Sequence, residues 1–307
     1  MAGSVFNHAR ALELLRAGSG NTSADFRDGQ LEAIQAVCDE ASRVLVVQKT
    51  GWGKSFVYFI STLLYREAGR GPALLISPLL SLMRNQVAAA ERMGLKAGTV
   101  NSENLHQWQQ IEQQVANGNV DLLLISPERL QSDRFILGPI ASLNPSLVVI
   151  DEAHCISDWG HDFRPDYRRL GRLVKTIPNV TLLATTATAS QRVIEDLATE
   201  LGPSLHQLKG DLNRSSLTLQ SLQLPSQTGR LAWLTSTIRC LEGSGIIYTL
   251  TKRDARVVAG WLKECGIDAE AYSGGGSMVS SERKRLEEAL IRDELQVLVA
   301  TTALGMG

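Results

Sequence analysis

Val44-Leu45-Val46-Val47-Gln48-Lys49-Thr50-Gly51-Trp52-Gly53-Lys54-Ser55 passes from an apolar run through a glycine turn into the helix-like stretch Lys54–Tyr65. That order, strand then glycine-rich turn then helix, is the context in which a phosphate-binding loop works. Backbone N–H groups in the turn and the positive end of the helix dipole can wrap phosphates. In such a loop Lys54 reaches the terminal phosphates and the Ser55 hydroxyl holds Mg²⁺, with Thr50, Gly51 and Gly53 shaping the cradle. The full consensus has glycine where Gln48 stands, so the signal resides in the Thr-Gly-x-Gly-Lys-Ser core.

Working outward, runs that are apolar on both faces recur at Val44–Gln48, Ala73–Ser77, Asp121–Ser126, Leu147–Ile150 and Val180–Thr185. Such strands suit a parallel sheet covered by helices on both sides. Helical stretches fall between them at Gly29–Ala41, Lys54–Tyr65, Leu79–Met93 and Leu105–Asn117, and the alternation reads as right-handed βαβ units. The expected class is therefore α/β, with doubly wound parallel sheets. After Leu201 come Gly202 and Pro203, then the alternating Leu217–Leu224 and a turn at Pro225–Gly229. A boundary is placed near Gly210, giving an N-terminal helical extension over 1–24, a first domain over 25–209 and a second over 210–307. The second repeats the pattern with Gly245–Leu250, a helix over Arg253–Cys265, Ala269–Tyr272, a helix over Ser280–Ile291 and Gln296–Thr301. It is expected to be incomplete.

Composition narrows the class. The chain has 307 residues, 44% of them hydrophobic and 21% charged, which is globular rather than disordered composition. With 31 Lys+Arg against 32 Asp+Glu the formal charge is −1, so any site for a polyanion must be local. No apolar run approaches the ~20 residues that span a bilayer, and the first residues lack a signal-peptide pattern. A cytoplasmic location without membrane association is expected. The four cysteines, Cys38, Cys155, Cys240 and Cys265, form no C-x-x-C pair, so reduced packing residues are expected rather than disulfides or a zinc site.

Leu147-Val148-Val149-Ile150 runs directly into Asp151-Glu152-Ala153-His154. Ligands of open parallel sheets bind at the carboxyl ends of strands, so both carboxylates are expected beside the phosphate loop. Asp151 would orient Mg²⁺ and Glu152 would polarise the attacking water, the two tasks that γ-phosphate hydrolysis leaves to the protein. Acids at a helix start also arise for dipole reasons. Their joint occurrence with the phosphate loop, each at a strand end of one sheet, points to a nucleoside triphosphatase with Lys54, Asp151 and Glu152 as its catalytic residues.

The loop, Ile76-Ser77-Pro78-Leu79-Leu80-Ser81-Leu82-Met83-Arg84-Asn85-Gln86, Ser126-Pro127-Glu128-Arg129-Leu130, Asp-Glu-Ala-His and Thr186-Ala187-Thr188 stand in the order of superfamily 2 helicase motifs. Residues 151–167, Asp-Glu-Ala-His-Cys-Ile-Ser-Asp-Trp-Gly-His-Asp-Phe-Arg-Pro-Asp-Tyr, closely resemble the aromatic-rich loop of the RecQ family of DNA helicases. The resemblance extends from about Asp25 to Gly307. It implies two RecA-like domains, the second partial, and ATP- and Mg²⁺-dependent unwinding of DNA with 3′→5′ movement along one strand, in repair or recombination. The partners implied are single-stranded and partly duplex DNA, with a nucleoid association if the source is bacterial.

Further roles follow by motif. Phe26-Arg27-Asp28-Gly29-Gln30 is similar to the adenine-recognition segment of the family, with Gln30 on the adenine edge and Arg27 over the ring. Ser77, Arg84, Asn85 and Arg129 resemble strand contacts, while His154, Thr186 and Thr188 resemble groups that couple the acidic motif to movement. Trp159 and Phe163 offer stacking faces worth ~1–3 kcal/mol per base, and His161 and Arg164 can meet phosphates or relay strand occupancy. RNA and DNA are not distinguished by stacking. The Gln-x-x-Gly-Arg-x-Gly-Arg segment of the family does not occur in the sequence, so weak hydrolysis, or a nucleotide-responsive strand-binding module, is the alternative. A different class is raised by Thr251-Lys252-Arg253-Asp254, which has the form of the guanine-reading motif of GTPases.

Overall fold

The runs read as apolar on both faces form five adjacent strands of one parallel sheet. They are β1 (Arg43–Val47), β2 (Ala73–Ile76), β4 (Leu122–Ile125), β5 (Leu147–Ile150) and β6 (Thr181–Thr186). Two further strands, β3 (Ala97–Val100) and β7 (His206–Lys209), complete the order β3-β4-β2-β5-β6-β1-β7. The computed structural model describes residues 4–40, 43–78, 80–101, 104, 107–132, 135–157, 165–177, 180–202, 204–213, 217–274, 278–301 and 304. It divides into two units, Met1–Ser216 and Leu217–Gly307.

In the first unit, successive side chains of a strand point to opposite faces, and the sheet accordingly separates two apolar cores. Leu45, Val47, Leu74, Ile76, Leu123, Val148, Ile150 and Leu182 lie in one. Val44, Val46, Leu75, Leu122, Leu124, Val149 and Leu183 lie in the other. The second core is closed by α1 (His8–Ser19), α2 (Gln30–Gln35) and α3 (Lys54–Glu67), which supply Leu14, Leu15, Ile34, Val57 and Phe59. Met83 and Ala90 of α4 (Leu80–Arg92) join them. The opposite face is covered in part by α5 (Trp108–Ala116), α6 (Leu170–Thr176) and α7 (Gln191–Leu201).

All strands run the same way, so their carboxyl ends share one edge, where Gln48, Ser77, Asn101, Ser126, Asp151, Thr186 and Gly210 form a polar rim. The ladder continues into it. Gln48 N–H donates to Thr186 O (3.0 Å), Ser77 N–H to Ile125 O (3.1 Å), Asp151 N–H to Ile76 O (2.9 Å) and Gly210 N–H to Val47 O (3.1 Å). Gln48, Ser77, Asp151 and Gly210 are thus held by sheet hydrogen bonds.

The second unit contains the parallel sheet β8-β10-β9, formed by β8 (Gly245–Tyr248), β9 (Ala269–Tyr272) and β10 (Val297–Ala300). Helices α8 (Gln227–Ile238), α9 (Lys252–Glu264) and α10 (Ser280–Ile291) accompany it. Val297 and Val299 of β10 enter one apolar cluster with Ala255 and Leu262, and Leu298 and Ala300 the other with Tyr272 and Leu286. The alternating Leu217–Leu224 makes no strand, and Leu217, Leu219 and Leu222 are exposed. One expectation changes here. Pro225–Gly229 is a helix entry rather than a turn, because the Ser226 hydroxyl accepts from Gly229 N–H (3.0 Å) and caps α8. No helix among the described residues is long and apolar enough to cross a membrane. None of the four cysteines is in a disulfide; Cys38 and Cys155 are buried, Cys265 half-buried and Cys240 exposed.

Candidate nucleotide site and acidic strand end

The phosphate loop connects β1 to α3 through Gly51 and Gly53, both in the left-handed region at φ 82° and 97°. Gly53 caps α3, and a β-carbon there would come within 2.8 Å of Gln30 Nε2. The Lys54 ammonium turns back onto the loop, donating to Gln48 O (2.8 Å) and Lys49 O (3.4 Å). Ser55 lies in the first turn of α3, and Thr50 is exposed at the loop tip. Gln48, standing where the consensus has glycine, is buried, and the space for its amide comes from elsewhere. A β-carbon on Gly210 would lie 2.0 Å from Gln48 Nε2. The glycine needed for close approach is on the neighbouring strand end.

The adenine-type segment is fastened to this loop at three places. Arg27 Nη1 donates to Gly51 O, Trp52 Nε1 to Asp28 O (3.0 Å) and Gln30 Nε2 to Gly53 O (3.1 Å), while Gln30 Oε1 accepts from Arg27 N–H (3.1 Å). Gln30 is buried and Arg27 exposed. Trp52 occupies a variable position of the motif, so the motif carries no signal for its role.

Asp151 and Glu152 follow β5 in different environments. The Asp151 carboxylate is sealed in, with Oδ1 accepting from Thr185 Oγ1 (2.7 Å) and Glu152 N–H (3.1 Å), and Oδ2 from Gln86 Nε2 (2.9 Å). Ile150 pairs with Ala184, so Thr185 is level with Asp151 one strand over. Tyr167 OH donates to Asp151 O (3.1 Å). Burial raises the Asp151 carboxyl above its ordinary pKa, and the adjacent Glu152 charge adds to that; the Thr185 and Gln86 hydrogen bonds and the Lys54 charge oppose it. Glu152 is in the left-handed region at φ 49°, and its side chain is 20% exposed, so it can meet water where Asp151 cannot.

A polar relay leaves Glu152. His154 Nδ1 lies 3.3 Å from Glu152 Oε2 and 3.0 Å from Thr186 Oγ1. Thr186 Oγ1 donates to Thr188 O (2.9 Å) and accepts Thr188 N–H (3.2 Å), which leaves it an acceptor toward the imidazole and assigns the proton to Nδ1. The ends of β5 and β6 are joined through these side chains.

The expected strand contacts separate by environment. Arg84 and Asn85 are exposed on α4. Ser77 is fully buried, and its hydroxyl has no partner among the described residues, so its side chain does not sit on an open surface as expected. Arg129 stacks its guanidinium 4.0 Å from the Trp108 ring centre, and burial lowers its pKa. Thr186 is buried in the relay, while Thr188 is exposed. Trp159, His161, Phe163 and Arg164 lie outside the described residues. Gln86, Thr185 and Tyr58, whose hydroxyl accepts from Gln86 Nε2 (3.0 Å), are site residues that the motifs did not single out.

The Thr251–Asp254 pattern has a local explanation. Thr251 caps α9, its hydroxyl accepting from Asp254 N–H (3.0 Å) and donating to Asp254 Oδ2 (2.8 Å). Thr and Asp three apart here serve a helix start.

Among the described residues, no group of three or more His, Cys, Asp and Glu side chains could hold a metal by itself. The site fits a hard cation shared with phosphate oxygens. Asp151 is a buried carboxylate whose negative charge is disfavoured by burial and by Glu152, and such a cation relieves that cost.

Comparison with known proteins places these features in context. Residues 27–197 match the family model described as DEAD/DEAH box helicase. The chain is 37% identical over 308 residues to the ATP-dependent DNA helicase RecQ of Haemophilus influenzae, covering 99% of this chain and 47% of the relative. It is 36% identical over 287 residues to RecQ of Bacillus subtilis, covering 92% and 47%. It therefore spans about half the length of these relatives. Among solved structures it resembles S. cerevisiae Dbp5 bound to RNA and ADP BeF3, with TM-score 0.76, 18% identity and coverage of 99% and 76%. It also resembles the DUF1998 helicase MrfA bound to DNA and AMPPNP, with TM-score 0.73, 17% identity and coverage of 96% and 44%. At those identities the structural likeness establishes the RecA-like fold.

Proposed function

The chain belongs to the DEAD/DEAH box helicase family, and from that premise we propose that it is the motor portion of a RecQ-like, ATP- and Mg²⁺-dependent DNA helicase. In this reading 25–209 binds ATP and 210–307 is part of the second RecA-like domain. Hydrolysis drives 3′→5′ movement on single-stranded DNA and opening of partly duplex DNA, in repair or recombination, near the nucleoid if the source is bacterial. One observation carries it: the phosphate loop after β1 and the Asp151–Glu152 pair after β5 open on the same carboxyl edge of one parallel sheet, and Gln86 bridges Tyr58 of the loop's helix to Asp151.

The roles follow from the environments. Lys54, now bonded to carbonyls of its own loop, exchanges them for phosphate oxygens. Ser55 and Asp151 are the groups that would hold Mg²⁺, which when bound neutralises phosphate charge. Glu152 takes a proton from water, and His154 and Thr186 carry the state of that carboxylate to the loop after β6. Gln30 and Arg27, anchored to the loop, face the base, and Arg84, Asn85 and Arg129 contact the strand. Trp159, His161, Phe163 and Arg164 are assigned to strand sensing from the sequence alone.

Steady-state ATP hydrolysis with and without single-stranded DNA tests this, with Lys54→Ala as control. DNA-stimulated turnover lost in the control is expected. ATP and DNA binding without stimulation would reassign the chain as a binding module, stimulation by RNA alone would change the substrate, and strict GTP preference would end the reading.

A further inference from the structure

The α4 helix presents two opposed faces. Met83, Gln86 and Ala90, at helical spacing, are buried, and Arg84 and Asn85 between them are exposed. In a stripe that is otherwise apolar, Gln86 is a costly choice, and it is not made for its own satisfaction: its Oε1 is buried without a hydrogen-bond partner among the described residues. Its Nε2 is fully used, donating one hydrogen to Asp151 Oδ2 (2.9 Å) and the other to Tyr58 OH (3.0 Å). A side chain that leaves one end unsatisfied so that the other can hold two groups is a clamp on those groups. Tyr58 is on α3, one turn beyond Lys54 and Ser55, so the amide bridges the helix of the phosphate loop and the acidic end of β5.

We propose that Gln86 is a positioning residue that fixes the Asp151 carboxylate and ties it to α4, so that a strand loading Arg84 and Asn85 on the outer face alters the metal-orienting group on the inner one. The coupling part rests on the function proposed above. The positioning part rests on the buried hydrogen bonds alone. The mechanical path is short: Arg84 and Asn85 are the two residues immediately before Gln86, and a rigid helical turn that shifts under them carries the amide with it.

Gln86→Met keeps the length and volume of the side chain, removes the orphaned oxygen and deletes the donor to Asp151. Met83→Leu, one turn earlier on the same stripe, controls for repacking. The expected result for Gln86→Met is a folded protein whose melting temperature falls by at most a few degrees, since removal of the orphaned oxygen offsets part of the two lost hydrogen bonds. The Mg²⁺ concentration for half-maximal ATP hydrolysis should rise by about tenfold, the scale of one lost hydrogen bond to a charged group. Stimulation by oligothymidylate should fall toward one even at saturating Mg²⁺, with oligonucleotide binding retained. Met83→Leu should change neither. Unaltered Mg²⁺ dependence and stimulation in Gln86→Met, or equal changes in Met83→Leu, would overturn the proposal. If Gln86→Met does not fold, Tyr58→Phe decides: it removes the second acceptor, and a smaller Mg²⁺ shift of the same sign is required. Should the wild-type chain hydrolyse ATP with no response to DNA, the helicase reading fails, and the Mg²⁺ shift alone judges the positioning. Should it bind ATP without turnover, Mg²⁺-dependent binding of a fluorescent ATP analogue supplies the same readout.

Discussion

Gly210→Ala tests whether the space for Gln48 is borrowed from the neighbouring strand. Gly210 is not in the left-handed region, so alanine carries no backbone penalty there. The penalty is contact: the new β-carbon would lie 2.0 Å from Nε2, 2.4 Å from Cδ and 2.4 Å from Oε1 of Gln48, against an ordinary carbon contact of about 3.5–4.0 Å. The amide must retreat by more than ~1 Å, and Gly29, whose own β-carbon would sit 3.7 Å from the same Nε2, borders its other side. A forced rotamer costs about 0.5–1.5 kcal/mol and an overpacked core about 1–3 kcal/mol. The amide ends a flexible side chain, so we expect about 1–1.5 kcal/mol, the overlap of those ranges. In a unit of this size that lowers the melting temperature by roughly 2–6 °C. In a Gln48→Ala background the obstacle is gone, and Gly210→Ala should be neutral or slightly stabilising through the unfolded chain. The assay is a double-mutant cycle on urea and thermal unfolding followed by circular dichroism, with a coupling energy of about 1 kcal/mol or more expected. Equal cost of Gly210→Ala in both backgrounds would refute the reasoning.

Glu152→Gln preserves shape and should leave ATP affinity within a few-fold while lowering turnover by about 10²–10⁴; normal turnover by steady-state assay defeats the general-base role. Asp151→Asn should abolish turnover yet protect the nucleotide-free protein in EDTA. The folded carboxyl has a raised pKa, so its contribution to stability is full below the unfolded value of about 4 and is lost as pH rises through the folded one. The melting-temperature advantage of Asp151→Asn should therefore grow with pH across that window; a constant difference contradicts the burial argument. Thr251→Ala should cost about 1 kcal/mol and speed amide hydrogen exchange in Lys252–Glu264, while leaving any preference for ATP over GTP unchanged. A changed base preference would restore a nucleotide role to Thr251.

The sequence exposed the sheet unevenly, and position within it explains why. β1, β2, β4, β5 and β6 are interior strands covered on both faces, which is what makes their text continuously apolar. β3 and β7 are the two edges, with the partly exposed Ala-Gly-Thr-Val and His-Gln-Leu-Lys, and neither periodicity nor hydropathy marks them. The helix read over Gly29–Ala41 is α2 followed by a wider π-turn over Ala36–Glu40, a change of hydrogen-bond register that apolar spacing does not encode. In the candidate site, Lys54, Asp151 and Glu152 stood out because a lysine after a glycine turn and paired acids directly after an apolar strand interrupt otherwise apolar text. Gln86, Thr185 and Tyr58 were not, since neutral polar residues inside regular elements look like ordinary neighbours until register brings them level with a buried carboxylate. Ser77 shows the reverse: its motif suggested an open contact, and its place in the row beside Asp151 encloses it.

A sheet whose strands all point one way gives the unit a working end and a blind end. The connections that enter strands, among them Ala68–Pro72, Met93–Lys96, Asn117–Asp121 and Asn144–Ser146, emerge far from the chemistry. Left-handed glycines at Gly69, Gly94 and Gly118 make them ready sites for grafting a fluorophore, a tether or a foreign domain. Cargo attached there leaves the opposite threshold clear, whereas one inserted residue after β5 would displace the carboxylates of the candidate site. Tolerance to engineering in this unit is accordingly a vector, set by the direction in which the backbone crosses the sheet.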